Sequence, residues 1–109
     1  MNKYPDVPRV SDLVWPCLQA LRELGGSASN RELLQKVIER EGISDAVAGI
    51  MHKDGRRTRL AYNLDWTKSF LKKDGAIFNS SYGVWALTAR GEGMSHDECV
   101  NVPKRVQRA

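Results

Sequence analysis

Seven basic side chains, Lys53, Arg56, Arg57, Arg59, Lys68, Lys72 and Lys73, share one stretch of this sequence with only two acids, Asp54 and Asp65. The whole chain has a formal charge of +4, so the remainder is close to neutral and slightly acidic. Cations gathered in one segment suit neutralisation of a polyanion such as a nucleic-acid backbone. Arg56, Arg57 and Arg59 lie at or before the start of a helix, where positive charge opposes the helix dipole. Charge that works against local stability is suited to an external anion, and these three are read as contacts to phosphates or to a guanine edge.

The helix that follows has a polar arc of Tyr62, Asp65, Lys68, Ser69 and Lys72. Tyr62 and Ser69 can donate to phosphates or base edges, and Lys68 and Lys72 read as backbone contacts. Asp65 reads first as a surface ion-pair partner of Lys68 or Arg59, and otherwise as an acceptor for a cytosine amino group. Trp66 and Phe70, at this spacing, are expected in the core rather than as stacking platforms. Asn30 and Arg31 open an earlier helix, either as plain capping residues or as a phosphate site. Ser80, Ser81 and Tyr82 sit with Asn79 in an uncharged loop and are expected to offer hydrogen bonds to a DNA backbone already held by the helix.

Other chemistry is poorly represented. "HDEC", residues 96–99, groups metal-ligating types, but no second cluster stands at zinc-site spacing, so a solvated tail is the expectation. There is no glycine-rich phosphate loop, no nucleophile with a matching base, and no nuclease-like set of acids with a lysine. No catalytic residue, metal site or cofactor is assigned, and no activity is expected of this chain alone. With Cys17 in an apolar helix and Cys99 in the polar tail, reduced thiols are the default. No apolar run approaches the roughly 18 residues of a membrane span, and the N-terminus lacks a secretory signal, so a cytoplasmic protein without a membrane partner is expected.

The elements that must position these residues follow from length and periodicity. A chain of 109 residues with 41% apolar and 28% charged residues suits one domain. "SDLVWPCLQALRELGG" reads as a first helix, with Ser11 as its cap and Pro16 near its start. "SNRELLQKVIEREG" is a second, with Ser29 and Glu32 at capping-box spacing and Gly42 as its stop. A short helix is expected over 45–51. A long one is expected from Thr58 to Lys73, its apolar stripe running through Leu60, Leu64, Thr67 and Leu71 and its end marked by Gly75. "AIF" and "VWAL", divided by "NSSYG", predict a hairpin. The organisation is therefore an N-terminal arm over 1–10, a domain over 11–93 and a polar, basic tail or linker over 94–109. The fold class is mainly α with a small β-hairpin, a winged helix-turn-helix, in which the last long helix enters the major groove of double-stranded DNA.

The stretch "NLDWTKSFLKKDGAIFNSSYGVWALTARG" resembles the closing half of the N-terminal winged-helix domain of Mrr-type restriction endonucleases. "YPDVPRVSDLVWPCLQALRELGGSASNRELLQKVIEREGISD" resembles its opening, so the likeness runs from about Pro5 to Gly93. The chain departs from that pattern at Tyr82, where the family often has arginine before the wing glycine, and at Asp65, where it often has glycine before the tryptophan. The resemblance implies recognition of modified, typically methylated, DNA on behalf of a covalently attached nuclease domain. Two other functions fit the same order of elements: a protein-interaction or homodimerisation module with an apolar patch at Val14, Trp15 or Trp85, and a free-standing transcriptional regulator.

Overall fold

The computed structural model describes residues 3–108; of the arm and tail expected from sequence, residues 1, 2 and 109 lie outside them. The chain is mainly helical, with a small three-stranded antiparallel sheet. Helix α1 (Val10–Glu23) is the hub, packing against α2 (Asn30–Glu41) and α4 (Arg59–Lys73). Its Leu13, Val14, Cys17, Leu18, Ala20 and Leu21 are buried. It begins earlier than the Ser11 cap predicts: Arg9 is the cap residue, and its N–H donates to Asp12 Oδ2 at 3.0 Å. Pro16 therefore lies inside the helix, where its missing N–H costs one intrahelical hydrogen bond.

The helices that carry the polar residues are closed by local chemistry. Ser29 Oγ accepts from the Glu32 N–H while Glu32 Oε1 accepts from the Ser29 N–H, fixing the start of α2. Those Ser29 bonds, the backbone N–H first, hold the Glu32 carboxyl below its ordinary range. The short helix α3 (Asp45–Ala48) is capped by Ser44, and α4 by Thr58 Oγ1, which accepts from the Ala61 N–H. At the far end of α4, Gly75 takes φ +84°, and the Ala76 N–H reaches back to the Leu71 carbonyl at 2.9 Å. That closure turns the chain into the sheet.

Strands β2 (Ile77–Ser81) and β3 (Val84–Leu87) form the expected hairpin, with Ile77 opposite Leu87 and Ser81 opposite Val84. The register shifts between Asn79 and Ser81, and the tip is Tyr82–Gly83, with Gly83 at φ +71°. The third strand, β1 (Ser27–Ser29), pairs with β3 and makes the order β1-β3-β2. Three small residues have no strand pattern of their own; pairing with β3 imposes it.

The expectation of a loose tail is corrected. Residues 89–108 form α5 (Ala89–Gly93), α6 (His96–Val100) and α7 (Val102–Arg108). Met94, Cys99 and Val102 join the core, and Ser95 and Glu98 form a capping box. Helices this short show too few turns for a 3.6-residue period to be read from sequence. Asp74, at the C-cap of α4, pins this segment: it accepts from Arg105 Nε at 2.9 Å and Arg90 Nη2 at 3.1 Å. Burial alone would raise the Asp74 pKa, but the hydrogen bonds from Arg105 and then Arg90 outweigh it and leave the carboxyl below its ordinary range. Gly91 packs so closely that a Cβ there would collide with the Ala76 carbonyl oxygen.

Candidate nucleic-acid interface

Three elements meet along one polar face: the first turn of α2, the exposed arc of α4, and the β2–β3 tip. Two surface grooves lie between them, and Asn30 borders both. One is lined by Asn30, Asn79, Ser81, Tyr82, Gly83 and Trp85, the other by Asn30 with Arg31, Arg57, Ala61, Asp65 and Lys68. The tip is docked on α2 through the Asn30 N–H, which donates to the Gly83 carbonyl at 3.0 Å. A wider cavity lies elsewhere, beside Pro5, Val7 and Ile43, but Asp6, Asp12 and Glu41 line it, which disfavours an anion there.

Lys68 departs from its expected place among the backbone contacts. It is buried, at 3% exposure, and its ammonium donates to Asn30 Oδ1 at 2.7 Å and pairs with Asp65 Oδ1 at 3.0 Å. It also lies over the Trp85 ring. Along α4, Lys68 falls beside Leu64 and Leu71, on the flank that α2 and the hairpin cover, so its charge is spent within the fold. Asp65 pairs as expected with Lys68, and its second partner is Arg57, at 2.6 Å, rather than Arg59. Arg57 reaches Asp54 as well, at 3.7 Å. The Arg56 N–H, above all, holds Asp54 below its usual carboxylate range.

Arg59 turns away from both grooves. Its guanidinium lies 4.3 Å from the Tyr4 ring centroid and 4.9 Å from that of Tyr62, and it meets His52 Nδ1 at 2.9 Å. Since arginine only donates, Nδ1 is the acceptor in that bond. His52 is buried and stacks on Tyr62 with centroids 3.8 Å apart, so Tyr62 is half-buried in this cluster. Trp66, expected in the core, is 49% exposed, because its edge contact to Tyr62 and tilted contact to Phe70 leave one face uncovered. Phe70 packs against the core.

The remaining expected positions lie at the surface. Arg31, Arg56, Ser69, Lys72, Ser80, Ser81 and Tyr82 are exposed. Among the described residues Arg31 and Arg56 have no ion-pair partner, and Lys72 is held only by neutral Asn79 Oδ1, at 3.1 Å, and the Trp85 ring. Sequence reasoning missed Trp85 as a polar participant: its Nε1 donates to Asn30 Oδ1 at 2.7 Å across 55 positions. Capping spacing marked Asn30 only as a helix start, and nothing local signals the link.

Of Val14, Trp15 or Trp85, the candidates for an apolar patch, Val14 is buried at 1% exposure and both tryptophans are partly covered. Burial pushes the Cys17 thiol up to about 12, which removes it as a nucleophile at neutral pH. No helix among the described residues is long and apolar enough to cross a membrane.

The chain shows no significant similarity to any curated protein or solved structure. Its sequence does match the Mrr N-terminal domain over residues 11–96, a span that takes in α2, α4, the hairpin and both grooves. The chain belongs to the Mrr N-terminal domain family, a relationship that connects it with restriction systems.

Proposed function

We propose that this domain is a winged-helix DNA-binding module, with α2 and α4 as the helix-turn-helix, α4 as the groove-entering helix and β2–β3 as the wing. It serves as the recognition part of a restriction endonuclease that acts on modified, methylated DNA, the nuclease activity residing in a separate domain. The observation that carries this reading is the convergence of unneutralised cations with neutral donors. Arg31 lines one groove, Lys72 reaches Asn79 and Trp85 of the other, and Ser81 and Tyr82 stand at the tip, while Arg56 and Ser69 are exposed on the loop before α4 and on α4 itself. Cations supply sequence-independent affinity through counterion release, and hydroxyls and amides fix register.

The test is fluorescence anisotropy with a labelled duplex at physiological salt, in matched methylated and unmethylated forms. The wild-type domain binds, and Arg31→Ala with Arg56→Ala and Lys72→Ala weakens binding to every sequence. Tighter binding to the methylated duplex places modification sensing in this domain; equal binding confines it to holding DNA. Absence of duplex binding would sink the whole reading.

The half-exposed Trp66, with Met51 at 48% exposure, favours a second reading in which the chain docks another protein or a second copy of itself. That reading predicts a dimer by light scattering and no retardation of DNA.

A further inference from the structure

One amide at the meeting point of the two grooves has a fixed orientation. Asn30 Oδ1 accepts from Lys68 Nζ and from Trp85 Nε1, each at 2.7 Å. Neither an ammonium nor an indole N–H can accept, so the carboxamide cannot be flipped. Both lone pairs of Oδ1 are used. Nδ2 is therefore directed away from Lys68 and Trp85, and neither of its hydrogens takes part in this network. The residue itself is exposed, and Nδ2 lies within van der Waals range of where a Cβ at Gly83 would stand, 3.6 Å away. It thus faces the tip of the hairpin.

Long surface side chains lose rotamer freedom when they bind, whereas a side chain already locked by the fold has little left to lose. A carboxamide N–H neutralises nothing; it recognises an acceptor atom. The positions around it supply charge and further donors, Arg31 in one groove, where Arg57 is paired with Asp65, and Ser81 and Tyr82 in the other. That is the composition of a phosphate track.

We propose that Asn30 contacts duplex DNA directly, donating from Nδ2 to a backbone phosphate oxygen between α4 and the wing, with Lys68 and Trp85 as the positioning residues that aim it. The inference rests on the DNA-binding reading above and adds the atom that makes the contact. It also gives the buried Lys68 a role: the lysine contributes orientation where the sequence suggested charge.

Asn30→Asp is the informative substitution. A carboxylate still accepts from both Lys68 and Trp85, so the melting temperature is retained, but the outward donor becomes an acceptor that repels phosphate. Duplex affinity falls about tenfold, the scale of one lost hydrogen bond plus the mismatch it leaves. The deficit persists on extrapolation to high salt, where the added charge is screened. Trp85→Phe keeps the ring and removes one aiming donor, and affinity falls about threefold. A wild-type readout needs no variant: saturating duplex shifts the Asn30 side-chain amide resonance in a nitrogen-15 correlation spectrum. An affinity for Asn30→Asp within twofold of wild type, or a deficit that vanishes with salt, overturns the proposal. So does an Asn30 side-chain resonance that stays put while the backbone amides of α4 move, a result that leaves the DNA-binding reading intact. A spectrum in which nothing moves overturns both.

Discussion

Helix α4 carries one ion network at its C-terminal end, the rear, and another midway along the side toward α2 and the hairpin, the front, and the two differ in what they hold. At the rear, the Asp74 side chain is 6% exposed and takes both Arg90 and Arg105, tying α5 and α7 to the helix. That one carboxylate is fully engaged, shared between two guanidiniums of the chain. Toward the front, Lys68 is equally withdrawn, with its side chain 4% exposed, but its partners Asn30 and Asp65 remain at the surface and link it to α2, Trp85 and Arg57. The rear network holds an assembly together, whereas the front one aims groups outward. Counting arginines and lysines does not separate the two; asking which donors survive the folding does.

The comparison breaks most visibly at Gly91. Alanine there would press a Cβ against the Ala76 carbonyl, a backbone atom that cannot yield without moving α5 from the sheet. Gly91→Ala is expected to lower unfolding stability by about 3 kcal/mol in urea denaturation.

Lys68→Ala comes next, at about 2 kcal/mol. Removing one partner of a buried pair is usually worse, but Asp65 is 44% exposed and keeps Arg57. The same change at Lys72 sharpens the contrast. Lys72→Ala leaves stability within about 0.5 kcal/mol, yet reduces the slope of log affinity against log salt by about one unit. If Lys68→Ala reduced that slope without a stability loss, the front network would be a charge site after all.

Asp74→Asn tests the rear network by pH. The folded-state carboxyl titrates below its unfolded value, so its contribution is complete above about pH 4 and is lost as the pH falls through the depressed folded value. The variant is therefore less stable at neutral pH, by about 1.5 kcal/mol, the scale of a hydrogen bond to a charged group. Melting curves of variant and wild type converge on acidification below about pH 4.

Local chemistry made much of the fold legible. The Ser29–Glu32 spacing, the Leu60–Leu71 stripe, Gly75 and the divided runs before and after "NSSYG" each act within a few residues, and α2, α4 and the hairpin formed where they point. What escaped was non-local. Strand β1 exists because β3 offers it a ladder, and α6 and α7 exist because the core and Asp74 receive Cys99, Val102 and Arg105. At the candidate site the same rule applies. Exposed Arg31, Arg56 and Lys72 are where helix phase and composition would put them, whereas the burial of Lys68 depends on Asn30 and Trp85, which are 38 and 55 positions from their partners. Arg59 was diverted in a similar way, by Tyr4 and His52 packing over the start of α4.

The most direct measurement of the central claim is duplex affinity for the whole domain over a range of salt concentrations. Arg31 and Lys72 beside the grooves and exposed Arg56 on the loop before α4, which have no ion-pair partner among the described residues, predict a log–log slope of roughly −3, at about −0.9 for each phosphate neutralised. Binding that is independent of salt, or no binding at low salt, would contradict it.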